Sequence, residues 1–475
     1  MKHAKVLRSV LKKITPSKEE KEKLFSLIKK CLKIAKEESK KYNATPMVAG
    51  SVTRDTWLPG KKEFDVFILF PPNIDIKKLE EFGLEVGKRV IEALNGSYSI
   101  QYAQHPYVSG KVNETRIDIV PCFKVESPEK LKSAVDRTPF HVKYLKKKLP
   151  LKLSGEVRLL KQFLTANKIY GADAKTQGFS GYVCELLIIK YKSFLNVLKN
   201  VLNWKPGEII DLENFYKKEE YFKLKKMFPK QVLILIDPTD KNRNTAAAVS
   251  AENFFKFKKL AKEFLSRPDE SFFFPKKVEP ISERELREKL SRRGTEIILI
   301  KFEPPRVVPD ILWPQLRKFS ERMKRILEEK RYEFKVLRND YYTDEENFCI
   351  ILLEMEVHSL PFIQKRIGPE VFDLDDSERF LNKYKKIAIN GPFVEGLNWV
   401  VEIERVFKKA SEKIFHSLNV SPEILKAKGI PEHIAESLSK GFEIITEVDK
   451  IVELVKKYEN FGIFLREYFE KESLV

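Results

Sequence analysis

The chain has 475 residues, which at about 150 residues per domain sets an expectation of roughly three domains and argues against a single core. With 43% hydrophobic and 11% aromatic residues it is globular, so its 33% charged residues belong to solvated faces and not to a disordered chain. Lys+Arg number 89 against 69 Asp+Glu, and the net charge of +20 points to a polyanionic partner, nucleic acid first, with a lysine-rich surface serving heat stability as the other reading.

Ser17 and Glu20 form a predicted capping box, and Leu24, Leu27, Ile28, Cys31 and Ile34 follow at helical spacing. Met47 to Ala49 reads as a short strand broken by Gly50-Ser51, Phe64 to Phe70 as a strand ended by Pro71-Pro72, and Arg116 to Val120 as a third with period-two alternation. This mixed α/β region closes near Lys146–Pro150. From Glu156 the pattern turns helical, with a second helix from about Gly181 to Leu202, a strand at Val232–Ile236, the turn Asp237-Pro238-Thr239-Asp240, and a helix capped by Ser250 running to about Leu265. Pro268 and Pro275 bracket a linker. Beyond it, Ser282 and Glu285 cap a helix ending near Gly294, then come a strand at Glu296–Phe302, a helix from about Trp313 to Arg331, and strands near Phe334–Tyr341 and Phe348–Val357. That order suits a small sheet with helices on one face, and beyond about Asn398 the signal is mainly helical.

Cys31, Cys122, Cys184 and Cys349 are too scattered for a zinc site, a disulfide framework or a redox pair and read as small buried hydrophobes. No apolar run approaches the ~18 residues of a membrane span and no signal peptide is recognisable, so a cytoplasmic protein is expected.

The sharpest local feature is Gly50-Ser51 followed by Glu63-Phe64-Asp65 at the head of an apolar strand. Acids at i and i+2 of a strand share one face, about 6–7 Å apart along the chain, and lean together over a hard cation such as Mg²⁺. Asp118, flanked by Ile117 and Ile119, supplies a third carboxylate from another strand. Three such acids suit two metal ions about 3.5–4 Å apart, as in-line phosphoryl transfer needs. The Gly50-Ser51 turn offers N–H groups and a hydroxyl to the β- and γ-phosphates, with Arg54 one turn on. Acid-x-acid on an edge strand alone is also the pattern of a solvated face; the combination within one α/β region favours a nucleotidyltransferase site.

Gly50-Ser51, Glu63-x-Asp65 and Asp118 resemble the polymerase-β-type nucleotidyltransferase superfamily. The segments Gly50–Leu58, His105–Val108, Ser133–His141 and Gly178–Tyr182 resemble the archaeal, class I CCA-adding tRNA nucleotidyltransferases, closely over residues 45–265 and loosely elsewhere. The resemblance implies template-free addition of C, C and A to the 3′ end of tRNA from CTP and ATP, repair of incomplete ends, release of pyrophosphate, and an active site remodelled between additions. It further implies that Glu63, Asp65 and Asp118 ligate two Mg²⁺ ions, that Gly50, Ser51 and Arg54 hold the triphosphate, and that His141, Lys161 and Tyr170 contact phosphates or sugar. By the same resemblance Arg243 lies near the incoming base. The superfamily more often has Asp where Glu63 stands. Read by themselves, these residues also have structural readings beside the functional one: His141 as a satisfied structural histidine, Lys161 and Tyr170 as a solvated lysine and a core aromatic, and Arg243, with Asp237 and Asp240 beside it, as a local ion-pair partner.

The expected organisation is α+β and multidomain. Residues 1–150 form a polymerase-β-like nucleotidyltransferase domain, 151–275 a mainly helical domain completing the nucleotide pocket, and 276–475 a small-sheet α+β body with a helical tail that binds tRNA. On the helix whose Leu316, Phe319, Met323 and Ile326 face inward, Arg317, Arg322, Lys324 and Arg325 form either a solvated face or a phosphate-binding ridge for the acceptor and T arms of tRNA, read by A-form shape. Lys217-Lys218 and Lys223–Lys226 are further basic candidates, and Ser421–Phe442 with Lys408-Lys409 docks tRNA or a second subunit, since the resemblance admits a homodimer. A poly(A) or oligoadenylate-type enzyme and an RNA-binding protein on a relic fold are the alternative readings.

Overall fold

The computed structural model describes residues 2–474 apart from Ala103 and Arg331. Two compact units result, one comprising residues up to Lys276 with Leu474, the other Lys277–Ser473. Among the described residues no helix is long and apolar enough to cross a membrane.

The first unit opens with α1 (Lys2–Ile14) and α2 (Lys18–Ser39). The capping box at α2 forms as expected: the Ser17 hydroxyl accepts from the Glu20 N–H, and the Glu20 carboxylate accepts from the Ser17 N–H at 2.8 Å. There follow β1 (Thr45–Ala49), β2 (Glu63–Phe70), α3 (Ile76–Ala93), β3 (Ser97–Tyr102), β4 (Pro106–Val112) and β5 (Thr115–Phe123). They make a five-stranded sheet in the order β1-β2-β5-β4-β3, in which β2 and β5 pair in parallel and the other neighbours are antiparallel. Phe64, Val66, Ile68, Ile117 and Ile119 bury one face of the sheet against α2 and α3. Strand alternation then puts Glu63, Asp65 and Asp118 on the opposite face, and it is this alternation, not any loop, that positions the acids.

The chain continues through α4 (Thr138–Lys148), α5 (Ser154–Ala166), α6 (Gly181–Tyr191), α7 (Phe194–Val201), β6 (Glu208–Ile210), α8 (Tyr221–Met227), β7 (Leu233–Asp237), β8 (Asp240–Asn244) and α9 (Ala251–Ser266). Apolar faces of α1, α5, α6, α7 and α9 share one core in which Phe163 meets Phe194, Phe264 and Phe273 at ring separations of 5.4, 5.8 and 5.6 Å. Side chains of this size contribute about 1.5–3 kcal/mol each when fully buried. The single helix expected from Gly181 to Leu202 is two: Lys192 adopts φ 70°, and the Ser193 side chain caps α7 by accepting from the Asn196 N–H. The Asp237–Asp240 turn joins β7 to a returning strand, so Arg243 lies on a hairpin. All four cysteines are buried and free.

The second unit contains α10 (Glu283–Arg293), β9 (Glu296–Phe302), α11 (Pro309–Leu327), β10 (Lys335–Thr343), β11 (Cys349–Val357), β12 (Ile363–Glu370), α12 (Leu374–Tyr384), β13 (Ala388–Glu395), β14 (Asn398–Glu404), α13 (Ala410–Leu418), α14 (Pro422–Ala427), α15 (Glu432–Ser439), β15 (Phe442–Ile445), α16 (Val448–Lys457) and α17 (Glu459–Phe469). Its main sheet runs β10-β11-β9-β15, and β12-β14-β13 form a second small sheet against α12. The expectation of helices on one face is corrected. Ile298, Ile300 and Phe302 pack with α11, α13 and α15, whereas Ile297 and Leu299 on the reverse face pack with α10, α16 and α17. The tail is also less purely helical than expected, since β14 and β15 lie in it. Helix α11 begins and ends four residues earlier than expected, and Arg331 lies outside the described residues.

Candidate active site

Parallel pairing of β2 with β5 sets Glu63 opposite Arg116 and Asp65 opposite Asp118. Adjacent strands are about 4.8 Å apart, so two carboxylates face the same side of the sheet as immediate neighbours, with Glu63 two residues back on that face. Burial, then the charges of Asp118 and Glu63, push the Asp65 carboxyl up to about 6 against the opposing pull of Arg116. Asp118 is satisfied instead: its Oδ1 accepts from the Ser109 hydroxyl at 2.6 Å and Arg116 Nε at 3.0 Å, and its Oδ2 from Arg116 Nη2 at 2.8 Å. Gly50 has φ 82°, and a Cβ built there would stand 3.0 Å from Asp65 Oδ2. Any side chain at residue 50 would be strained in that conformation and would press on the carboxylate.

Among the described residues no three His, Cys, Asp or Glu side chains are gathered into a ready coordination shell, and Asp118 is paired with Arg116. The donor set nevertheless fits a hard divalent cation. It is made of oxygen alone, burial and then the neighbouring carboxylates raise the Asp65 carboxyl, and a glycine keeps space beside it.

A second cluster holds Arg54, which the short turn of helix Ser51–Arg54 places after β1. Arg54 Nε and Nη2 donate to the two carboxylate oxygens of Glu185 at 3.2 and 2.9 Å, and Nη1 donates to the Thr53 hydroxyl at 2.7 Å. The Thr56 hydroxyl donates to Glu185 at 2.6 Å, and Lys161 Nζ lies 3.8 Å from the same carboxylate while donating to the Thr56 carbonyl at 3.2 Å. Arg54 and Lys161 are both buried, and burial lowers the Lys161 ammonium from its ordinary range. Tyr170 stands beside them. A Cβ on Gly181 would meet the Tyr170 hydroxyl at 2.9 Å and Lys161 Nζ at 3.6 Å, so the glycine that opens α6 lets these groups approach the helix end. Burial, then the charges of Cys184, Glu185 and Glu63, raise the Tyr170 phenol.

The third cluster surrounds Asp237 at the end of β7. His141 Nε2 and Arg243 Nη1 both donate to its Oδ2 at 2.8 Å. Nearby, Arg137 pairs with Asp240 at 3.3 Å. Arg137, Lys241 and Arg243, with Phe215, Phe228 and Met227, border a cavity of about 1120 Å³; Glu63, Asp65 and Asp118 are not among its lining residues.

The structure therefore distributes the site residues named from sequence over three clusters of the first unit. Gly50, Glu63, Asp65 and Asp118 make one; Arg54, Lys161 and Tyr170 another, with half-buried Ser51 opening the turn that carries Arg54; His141 and Arg243 the third. Sequence reasoning missed Arg116, Ser109, Thr56, Tyr182 and Glu185, and it named Asp237 only as a neighbour for a local ion pair with Arg243, a pair that forms, without its contacts to His141, Tyr182 and Thr239. Two left a signal: Glu185 is an acid inside the apolar run Val183–Ile189, and Asp237 ends the apolar run Leu233–Ile236. In the second unit Leu316, Phe319, Met323 and Ile326 of α11 are buried as expected. Of the basic ridge, Arg317 donates to the Tyr341 hydroxyl at 2.9 Å and Arg322 donates to the Lys428 carbonyl, while Lys324 is half-buried and Arg325 exposed.

Residues 28–141 match a family model described as a nucleotidyltransferase domain, 155–274 one described as tRNA nucleotidyltransferase, second domain, and 293–447 one described as CCA-adding enzyme, C-terminal domain. A CCA-adding enzyme of Methanocaldococcus jannaschii is 42% identical over 393 residues, covering 81% of this chain and 85% of its own. One of Archaeoglobus fulgidus is 37% identical over 448 residues, covering 94% and 95%. A solved RNA terminal U-transferase overlays 57% of this chain and 98% of its own with 13% identity and a TM-score of 0.45. On the three matched domains and relatives of this identity and coverage, the chain belongs to the archaeal CCA-adding enzymes, the tRNA nucleotidyltransferases.

Proposed function

We propose that the chain completes tRNA 3′ ends by template-independent addition of C, C and A from CTP and ATP, with the chemistry at the Asp65–Asp118 pair. The observation that carries this reading is the parallel register that sets those two carboxylates side by side beneath a glycine, within a domain matched as nucleotidyltransferase. Glu63, Asp65 and Asp118 would hold two Mg²⁺ ions. Bound there, the ions would assist loss of the 3′-hydroxyl proton and neutralise charge on the leaving pyrophosphate. The chain's own residues hold the substrates. The Ser51 hydroxyl and Arg54 receive the triphosphate, Lys161 and Tyr170 border phosphate and sugar, and His141 and Arg243 face the nucleotide from the other side. Asp118 accepts the hydroxyl proton or orients its oxygen for in-line attack on the α-phosphate, and no covalent enzyme intermediate is needed.

Three functional parts are proposed: residues 1–150 for chemistry, 151–275 for completing the nucleotide pocket, and 276–475 for holding the acceptor and T arms of tRNA in the cytoplasm. The three matched stretches, 28–141, 155–274 and 293–447, support that division. The +20 charge supports binding through backbone phosphates, which weakens steeply with salt. Incubation with tRNA lacking its 3′ terminus and each labelled nucleotide tests the reading. Incorporation of CTP twice and then ATP once supports it, and unlimited A addition, or none with Mg²⁺ present, overturns it.

A further inference from the structure

The geometry points to Asp237 as the positioning residue of the nucleotide pocket, a buried carboxylate that clamps His141 and Arg243 so that they meet the incoming nucleotide as one unit. This rests on the reading that His141 and Arg243 face the nucleotide. Asp237 is fully buried. Besides His141 Nε2 and Arg243 Nη1 on Oδ2, its Oδ1 accepts from the Tyr182 hydroxyl at 3.2 Å, the Thr239 N–H at 2.9 Å and the Thr239 hydroxyl at 2.8 Å. A carboxylate offers about four lone-pair sites, so these donors saturate it and leave nothing for a ligand. It acts only through the groups it holds.

Those groups come from separate elements: His141 from α4, Tyr182 from α6, Thr239 and Arg243 from the β7–β8 hairpin. The His141 ring also stacks on Tyr182 with centroids 4.2 Å apart and planes 23° from parallel, so its plane is fixed as well as its edge. A charged acceptor at Nε2 requires the proton there, which leaves Nδ1 as the nitrogen available to other groups. Burial pushes the Asp237 carboxyl up, but the hydrogen bond and charge of His141, the Thr239 N–H and Arg243 outweigh it and hold the group well below the usual carboxylate range. Among the described residues Arg243 is anchored through Nη1 alone, and its side chain, 37% exposed, borders the cavity. Tyr182 and Glu185 lie at i and i+3 of α6, so one helix face carries both the stacking partner of His141 and the counter-ion of Arg54.

The test uses the full chain with Asp237→Asn, which keeps the shape, removes the charge and replaces one acceptor by a donor facing other donors. Expected is a rise of about tenfold in KM for both CTP and ATP with kcat changed by less than about threefold. Arg243→Ala alone also raises KM by about tenfold, but added to Asp237→Asn it multiplies KM by less than about twofold, since the clamp is already open. KM within twofold of the parent, or effects that multiply, overturns the proposal. Calorimetric titration of ATP and CTP without tRNA separates the two readings: nucleotide binding weakened by Asp237→Asn in a chain that extends no tRNA upholds the clamp and sinks the proposed function. Should Asp237→Asn fail to fold, ¹⁵N-histidine spectra of the unaltered chain decide, with the His141 signal, one of six histidines, assigned by its loss in His141→Gln. A proton on Nε2 upholds the clamp; a neutral ring protonated only at Nδ1 overturns it.

Discussion

Two kinds of acid occupy the first unit, and they stand in opposite electrostatic situations. Asp65 is crowded by Asp118 and Glu63, and the cation among them, Arg116, bonds to Asp118. Glu185 and Asp237 are buried too, yet each is ringed by donors: Arg54, Thr56 and Lys161 on one, His141, Arg243, Tyr182 and Thr239 on the other. Asp65 is held beside its like-charged neighbours by strand register, a repulsion that Arg116 offsets in part and that a bound divalent cation would relieve further. The ringed pair holds side chains in place and has no vacancy to offer. Burial alone therefore does not distinguish these acids: Asp65 is buried beside like charges, whereas Glu185 and Asp237 are buried among donors.

The largest expected effect comes from the crowded set. Asp65→Asn lowers kcat for nucleotide addition by about 10³-fold or more, yet without divalent metal its Tm does not fall, because the substitution removes repulsion. Mg²⁺ raises the Tm of the parent chain, by about 2.7 kcal/mol of stability at 100 times Kd, and fails to do so in the variant. A Tm drop of several degrees in Asp65→Asn without metal breaks the contrast. On the ringed side, Glu185→Ala strands Arg54 and Lys161 and costs about 3–5 kcal/mol, or roughly 10 °C in a melt. A loss under about 2 °C says that the ring is not structural.

Acid pH sharpens the same contrast. The Asp237 carboxyl titrates below its usual range when folded, so its stabilisation is complete above the unfolded value of about 3.9 and is lost as pH falls through the lower folded value. The stability gap between the parent and Asp237→Asn in urea titrations is therefore level from pH 7 to about 5 and narrows below about 4. The smallest effect carries the contrast to cations. Arg325→Ala lowers tRNA affinity a few-fold and reduces the salt slope by about 1 with no change in Tm, whereas Arg317→Ala, which loses the Tyr341 hydroxyl, lowers Tm and leaves the slope nearly unchanged. Filter binding across a salt series distinguishes them.

What was legible in the sequence is what local spacing encodes. Glu63, Asp65 and Asp118 could be set on one sheet face from period two, and the caps at Ser17, Ser250 and Ser282 from their side-chain chemistry. The partners that decide what those residues do were not. Arg54 meets Glu185 across 131 positions and His141 meets Asp237 across 96, and no spacing rule spans such separations. Lys192 broke a helix that apolar periodicity alone continues, because a left-handed residue other than glycine leaves no compositional mark. The second helical layer of the C-terminal sheet had a signal: Cys349–Leu353 at the head of β11 is an unbroken apolar run, buried throughout, and such a run means a strand covered on both faces. The early start of α11 lies in its prolines. Pro309 suits the first helical position, and Pro314 removes one hydrogen bond near the start of a helix that packing sustains.

The pairing of β15 with β9 has a consequence for how the protein is made. Phe442–Ile445 closes the sheet edge offered by β9, whose own residues leave the ribosome more than a hundred positions earlier. Until then the apolar strand Glu296–Phe302 has a neighbour in β11 but an open edge on its other side. A nascent or truncated chain stopping before Phe442 thus presents a template for strand addition by other chains, and pulse-labelled fragments ending there should aggregate where the full chain does not.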